Sequence, residues 1–343
     1  MKLLPAHYVI PALILLVASA AAYQPFESEA QSEHENGSYL LVLNKSADTA
    51  WQLEASTGKK VAEYPTKAGP HEVAVSPDQT RAALTNYGAE RAGSTLTIID
   101  LNRREVEKVI DLGAYRRPHG IQWFSDGRRV IVSAEAQQAV AIVDVDKGAI
   151  VKAIRTDQQV SHMVELSPDE QRVYVPNIGS NSVTVIDLQN ERVIKEIPTG
   201  EQAEGITLAD GGREVWVTNR GENTISVIDT ADLKVVETLR SRDFPIRAEL
   251  SPNGEWVAVS NARSGDVALF DAGSREPVAR VSTNTEAGEI GVPIGLIFSS
   301  DSSRLYVANS QARQVVVIET GSWRVIDRFR TGDTPDGIAY FTR

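Results

Sequence analysis

Three histidines, His71, His119 and His162, stand 48 and 43 residues apart. The same register continues through Glu204, Ile246, Ile294 and Asp336, at intervals of 42, 42, 48 and 42 residues. Imidazole and carboxylate are donors that borderline divalent cations favour, and three imidazoles with one open position can hold a zinc-bound water. Imidazole also serves as an axial haem ligand. Because it titrates near neutral pH, it can act as a general base as well. Arg116, Arg117, Arg242 and Arg247 lie close to this column in sequence and can pair with the carboxylates of a ligand. The candidate metal ligands are therefore His71, His119 and His162, and Glu204, Asp336, Arg117 and Arg247 complete the candidate binding set.

Such a column is useful only if the chain folds back on itself once per interval. Short β-rich runs recur in step with it: YLLVLN at 39, RAALTN at 81, RVIVSA at 129, RVYVPN at 172, EVWVTN at 214, WVAVSN at 256 and LYVANS at 305. Each is followed by a second run of the VTVID or ISVID kind, then a third, weaker one such as VIKEIPTG, then a fourth such as EGITLADGG. β-branched alternation with Ser-Pro-Asp, Asp-Gly and Asn-Gly between the runs reads as strands joined by turns. Four strands in a unit of about 42 residues is the signature of a propeller blade. The column of seven then opens the innermost strand of each blade. A polar arc of five (Asp336, His71, His119, His162, Glu204) faces two isoleucines across one channel mouth.

Two further columns have a structural explanation. Asn44, Asn86, Asn177, Asn219, Asn261 and Asn309 end one strand of each blade, with Ala134 as the departure, and tie the loop that follows. Glu54, Asp100, Asp144, Asp187, Asp229, Asp271 and Glu319 end the next strand, where acidic side chains accept turn N–H groups. Trp123, Trp216 and Trp256 fall at strand positions suited to packing between blades. Loop lengths vary on one face. Asn86 to Asp100 is four residues longer than its counterparts, and extra residues fall in VSTNTEAGEIGVPIG (281–295). Variable loops on a rigid scaffold are where binding usually resides, so the histidine-bearing mouth is the expected functional face.

The strings VYVPN, VWVTN, VAVSN and YVANS, each followed by a VID-type strand and a Pro-x-Gly segment, resemble YVTN-type β-propeller repeats over residues 39–343. The resemblance implies an all-β, seven-bladed propeller of four-stranded blades, its ring closed by the C-terminal strand joining the N-terminal blade. It is poorer on activity. The first expectation is a binding or scaffold module that takes a protein or small-molecule ligand at its loop-rich face. The alternatives are a metal- or haem-associated periplasmic protein using the histidine arc, and a lactonase-like hydrolase.

Composition removes other classes. The 343 residues carry a net charge of −11 and no cysteine. A disulfide framework, a thiol nucleophile, a cysteine metal knuckle and covalent c-type haem attachment all fall away. The acidic total argues against nucleic acid as a partner. Residues 1–22 combine Lys2, an apolar run and Ala20-x-Ala22, which reads as a cleavable signal for periplasmic or secreted export. The run is short for a membrane span and contains Pro5 and Pro11, so no stable span is expected after cleavage. Residues 23–38 read as an acidic, disordered spacer.

Overall fold

Alternating apolar residues pair the strands into seven antiparallel sheets of four. The computed structural model describes residues 37–343, so the signal and nearly all of the spacer lie outside the described residues. Strands are numbered β1 to β28 in chain order. The innermost ones are β4 (Pro70–Val75), β8 (Pro118–Trp123), β12 (Glu165–Leu166), β16 (Ala203–Ala209), β20 (Pro245–Leu250), β24 (Pro293–Phe298) and β28 (Pro335–Thr342). The chain is a seven-bladed β-propeller with four antiparallel strands per blade. Two short 3-10 turns, Glu135–Gln137 and Asp210–Gly212, are its only helical pieces among the described residues.

The first blade combines both ends of this region, because β28 pairs antiparallel with β1 (Ser38–Asn44), Tyr39 opposite Phe341 and Leu41 opposite Ala339. Ser38 belongs to β1 and not to the spacer. Its carbonyl accepts the Ala55 N–H at 3.0 Å and its hydroxyl accepts a hydrogen bond from Tyr340 at 2.8 Å.

Neighbouring blades pack through buried aliphatic faces. Trp216 is fully buried in one such core with its ring 5.9 Å from Phe270, and Trp123 donates its indole N–H to the Ala74 carbonyl of the preceding blade at 2.9 Å. Trp256 meets Trp323 edge-on at 5.1 Å. The two polar columns do what turn chemistry requires. Asn44 and Asn219 are buried and donate to Thr49 and Thr224 on the next strand, while Asn44 also accepts the Gly332 N–H. Asp144, Asp187, Asp229 and Asp271 each accept a turn N–H two or three residues on.

The innermost strands approach one another closely. A Cβ added at Gly120 would lie 2.5 Å from the Met163 Cα, and one at Gly205, Gly295 or Gly337 would meet a carbonyl oxygen of the next blade at 2.3–2.4 Å. Glycine at this position therefore sets the spacing at these four junctions, while β4 and β20 carry Glu72 and Arg247 there and β12 follows Met163.

The residue two positions before each column residue also repeats a conformation. Gly69, Arg117, Val160, Gln202, Phe244, Val292 and Thr334 all have φ between 56° and 66°. A left-handed backbone costs an L-residue roughly 1–2 kcal/mol, and β-branched valine fits it poorly. Val160→Gly is accordingly expected to stabilise the fold by about 1 kcal/mol, raising Tm by about 2 °C. A thermal melt in which the variant unfolds earlier than the natural chain would refute the strain at this turn.

Candidate functional site

The column residue sits second in its strand at His71, His119, Glu204, Ile246, Ile294 and Asp336. His162 differs: it precedes the short β12 and is held by the neighbouring Ser161–Asn177 bridge. Its carbonyl accepts the Gly120 N–H of the adjacent blade at 2.9 Å. Close inter-blade spacing turns the column into a continuous cluster. The His71 and His119 rings are 4.1 Å apart between centroids, and those of His119 and His162 are 3.6 Å apart.

Carboxylates hold the two ends. Asp336 Oδ2 lies 3.0 Å from His71 Nδ1 and 3.3 Å from the Lys45 ammonium, which also reaches His71 Nε2 at 3.1 Å. Since an ammonium only donates, His71 Nε2 accepts and its proton sits on Nδ1, facing Asp336. At the other end His162 Nδ1 is 2.5 Å from Glu135 Oε1, whose second oxygen accepts the Tyr87 hydroxyl at 2.6 Å. Glu204 stands 3.4 Å from His162 Nε2 and pairs with Arg220 at 2.5 Å and Arg247 at 3.4 Å. Arg247 in turn pairs with Glu72. That contact joins β20 to β4, strands 175 residues apart in sequence.

His119, in the middle, is 1% exposed, and neither of its ring nitrogens has a hydrogen-bond partner. His162 Nε2 is likewise buried without a hydrogen bond. An unpaired buried polar atom costs on the order of 1–3 kcal/mol, so a cluster carrying several of them is arranged for something other than stability. His119, Glu135 and His162 offer ligand atoms within 4.8 Å of one another, as do His71, Glu72 and His119.

The charges follow from these contacts. Burial, reinforced by the positive charge of its neighbours, drives the His119 pKa well below 6.5 and keeps that ring neutral. Burial acts on His162 in the same direction, but the Glu135 and Glu204 carboxylates outweigh it and raise its pKa. Burial would raise Glu204, yet His162, Arg247 and Arg220 hold it below the usual carboxylate range. Asp336 is held low against burial by His71, Lys45 and Arg247.

Of the residues expected from sequence, His71, His119, His162, Glu204, Asp336 and Arg247 come together. Arg117 does not join them. Its guanidinium lies 4.7 Å from the Tyr87 ring and donates to the Ala89 carbonyl at 3.1 Å, bracing the long hairpin after Asn86. Sequence reading missed Lys45, Tyr87, Glu135 and Arg220, although they form a column of their own. Each is the residue just after the Asn-column position (Asn44, Asn86, Ala134, Asn219). The departure at Ala134 was a further signal, since the 3-10 turn there carries Glu135 to His162.

Comparison with known proteins bears on the fold more than on the activity. The model of the cytochrome D1 heme domain matches residues 130–248, a span that contains Glu135, His162, Glu204 and Arg247. A search of curated protein sequences finds no match. Among solved structures, the chain is similar to Pseudomonas aeruginosa periplasmic gluconolactonase, with 18% identity and a TM-score of 0.73 over 89% of this chain and 99% of that one. It is similar to hydrazine synthase of Kuenenia stuttgartiensis at 17% identity and a TM-score of 0.71, covering 80% and 96%. A dihydro-heme d1 dehydrogenase gives 14% identity and a TM-score of 0.66, covering 88% and 74%. At these identities the likeness is one of fold.

Below the mouth, residues of all seven innermost strands line a cavity of about 320 Å³. The Glu72–Arg247 pair stands at its histidine end, and Glu165 and Glu249 lie deeper. Burial pushes both of these acids up to about 8, and the Glu165 carboxyl adds to the effect at Glu249. In the unfolded chain they ionise near 4.5. Between those values the unfolded state sheds protons that the folded state keeps. Their contribution to stability is thus full below 4.5 and is lost as pH rises towards 8. Glu165→Gln or Glu249→Gln removes that loss, so the advantage of each variant over the natural chain should grow from pH 5 to pH 8. Urea midpoints measured across that range check this, and a constant difference would contradict it.

Proposed function

We propose that this chain is an exported β-propeller that binds a divalent transition-metal ion at its histidine mouth, using His119, His162 through Nε2, and His71 through the Nε2 that the Lys45 ammonium would release. The observation that carries this reading is the pair of unpartnered ring nitrogens on the buried His119, flanked by two histidines whose Nδ1 atoms face carboxylates. A carboxylate behind a histidine fixes the ring and its tautomer and raises its basicity, which is the usual outer-shell arrangement of metal-binding imidazoles. Glu135 and Asp336 fill that role. Tyr87 steadies Glu135, and Arg220 with Arg247 steadies Glu204. An ion held there with an open position would act as a Lewis acid on a bound water or ligand oxygen. Export rests on the signal-like residues 1–22, and the YVTN-type repeat pattern is in keeping with an exported propeller.

The donor set suits a bare ion better than a haem. An axial ligand needs a flat apolar slot over its nitrogen, whereas His119 is surrounded by the His71, His162 and Tyr87 rings at 4.1, 3.6 and 5.6 Å. The broader expectation of a scaffold is narrowed accordingly. A second reading, hydrolysis of a cyclic ester, draws on an open pocket at the same mouth and on the fold shared with the gluconolactonase. Its test is turnover of gluconolactone by the metal-loaded protein, abolished in His119→Ala.

Chelator-treated protein titrated with Co²⁺ should take up one ion per chain and develop a visible absorption band. His119→Ala should abolish uptake, and Glu135→Gln should weaken it about 10- to 100-fold. Sub-stoichiometric uptake, or uptake unchanged in His119→Ala, would sink the metal assignment.

A further inference from the structure

Across the mouth from the histidines, the column residues are Ile246 and Ile294, and the surface beside them is a second pocket of about 830 Å³. That volume is in the range that holds a small organic molecule. Phe244, Ile246, Ile290, Val292 and Ile294 supply its apolar walls, and Glu289 and Gln311 also line it. One wall is the ten-residue loop 283–292 between β23 (Pro277–Ser282) and β24, where the loop before β20 has four residues. The loop is anchored at its base. Asn309 and Arg328 donate to the Thr283 carbonyl, and Arg328 also donates to the Asn284 carbonyl at 2.9 Å. Gly265 makes room for it, since a Cβ there would collide with the Asn284 side chain of the loop and press on Ile290. Ile290 is nevertheless 46% exposed, an apolar side chain held out over a cavity by a braced loop.

The rim adds a charge. Two guanidinium groups flank Phe244, Arg263 at 3.9 Å and Arg220 at 5.1 Å from the ring centroid. Arg220 is committed to Glu204. Arg263 has no carboxylate within ion-pair distance among the described residues, and its backbone N–H donates to the Asp243 carbonyl. A cation on an aromatic face at the edge of an apolar cavity is suited to pair with an anionic head group whose body lies in that cavity.

We propose that this pocket binds a small organic acid with an apolar or aromatic body, its carboxylate on Arg263 and its body against Ile246, Ile290 and Ile294. Bound there, the acid lies on the same mouth as the histidine cluster, so the proposal names a ligand class for that face while depending on none of the metal ligands. A neutral molecule of the same shape would lose the Arg263 contact and keep only the apolar one.

Isothermal titration of the full chain with 1-naphthoate and with its neutral analogue 1-naphthamide tests this. Naphthoate should bind at one site, at least fivefold more tightly than the amide. Arg263→Gln should weaken naphthoate about tenfold and leave the amide unchanged. Ile290→Glu, a change at an exposed position, should weaken both. Co²⁺ uptake should be the same in these two variants as in the natural chain, so failure of the metal site and failure of the pocket read out separately. Equal affinity for acid and amide overturns the ligand class. Absence of naphthoate binding, or binding indifferent to Ile290→Glu, overturns the pocket.

Discussion

The distance between neighbouring innermost strands governs the rest of this molecule. In four of the seven blades, Gly120, Gly205, Gly295 and Gly337 let the innermost strand lie against the backbone of the next blade, with no space for a methyl group. At that spacing, residues one full repeat apart in sequence become touching neighbours. Imidazoles that would otherwise line a solvated rim instead pack ring on ring, and His119 loses contact with water. Burial then changes the chemistry. The same side chain that would be an ordinary titrating histidine in water is a neutral donor with both nitrogens unclaimed.

Burying so much charge is costly unless each group is paired. The mouth meets this by alternating signs along the arc: Lys45, Asp336, His71, then His162 between Glu135 and Glu204, then Arg247 and Glu72. The Arg247–Glu72 pair links strands from non-adjacent blades and stands where the polar mouth gives way to the inner cavity. Both residues occupy the position that is glycine in most other blades. Two of the three exceptions to that packing rule, in blades far enough apart to leave room, therefore supply an ion pair that crosses from β4 to β20, Met163 being the third exception. Among the described residues, the other half of the mouth carries no such network. There Ile246, Ile294 and the long loop present apolar surface, so a single opening offers donor atoms on one side and a greasy wall on the other.

Much of the fold was legible because repetition multiplies a weak signal. Any one strand such as LYVANS is ambiguous, but seven copies in register leave few alternatives to four-stranded blades. The Asn and acidic columns were legible for a local reason: their partners lie within a few residues, in the turns they tie. The histidine column was legible as an alignment of equivalent positions, and Glu204 and Asp336 came with it. Arg117 was misplaced because closeness in sequence does not say which way a long side chain leaves a turn. Its left-handed backbone directs it to Tyr87 and Ala89.

By itself, then, the sequence determined the blade, the number of blades and which residues share a rim. Each of these depends on periodicity and on contacts local to one repeat. Only the tertiary structure decided that His119 is sealed between two rings, that Glu135 and Tyr87 stand behind His162, that Glu72 meets Arg247, and that Ile290 overhangs a cavity. Those are properties of inter-blade distance and loop path. They arise where residues from different repeats exclude water together, and no pattern within one repeat encodes that exclusion.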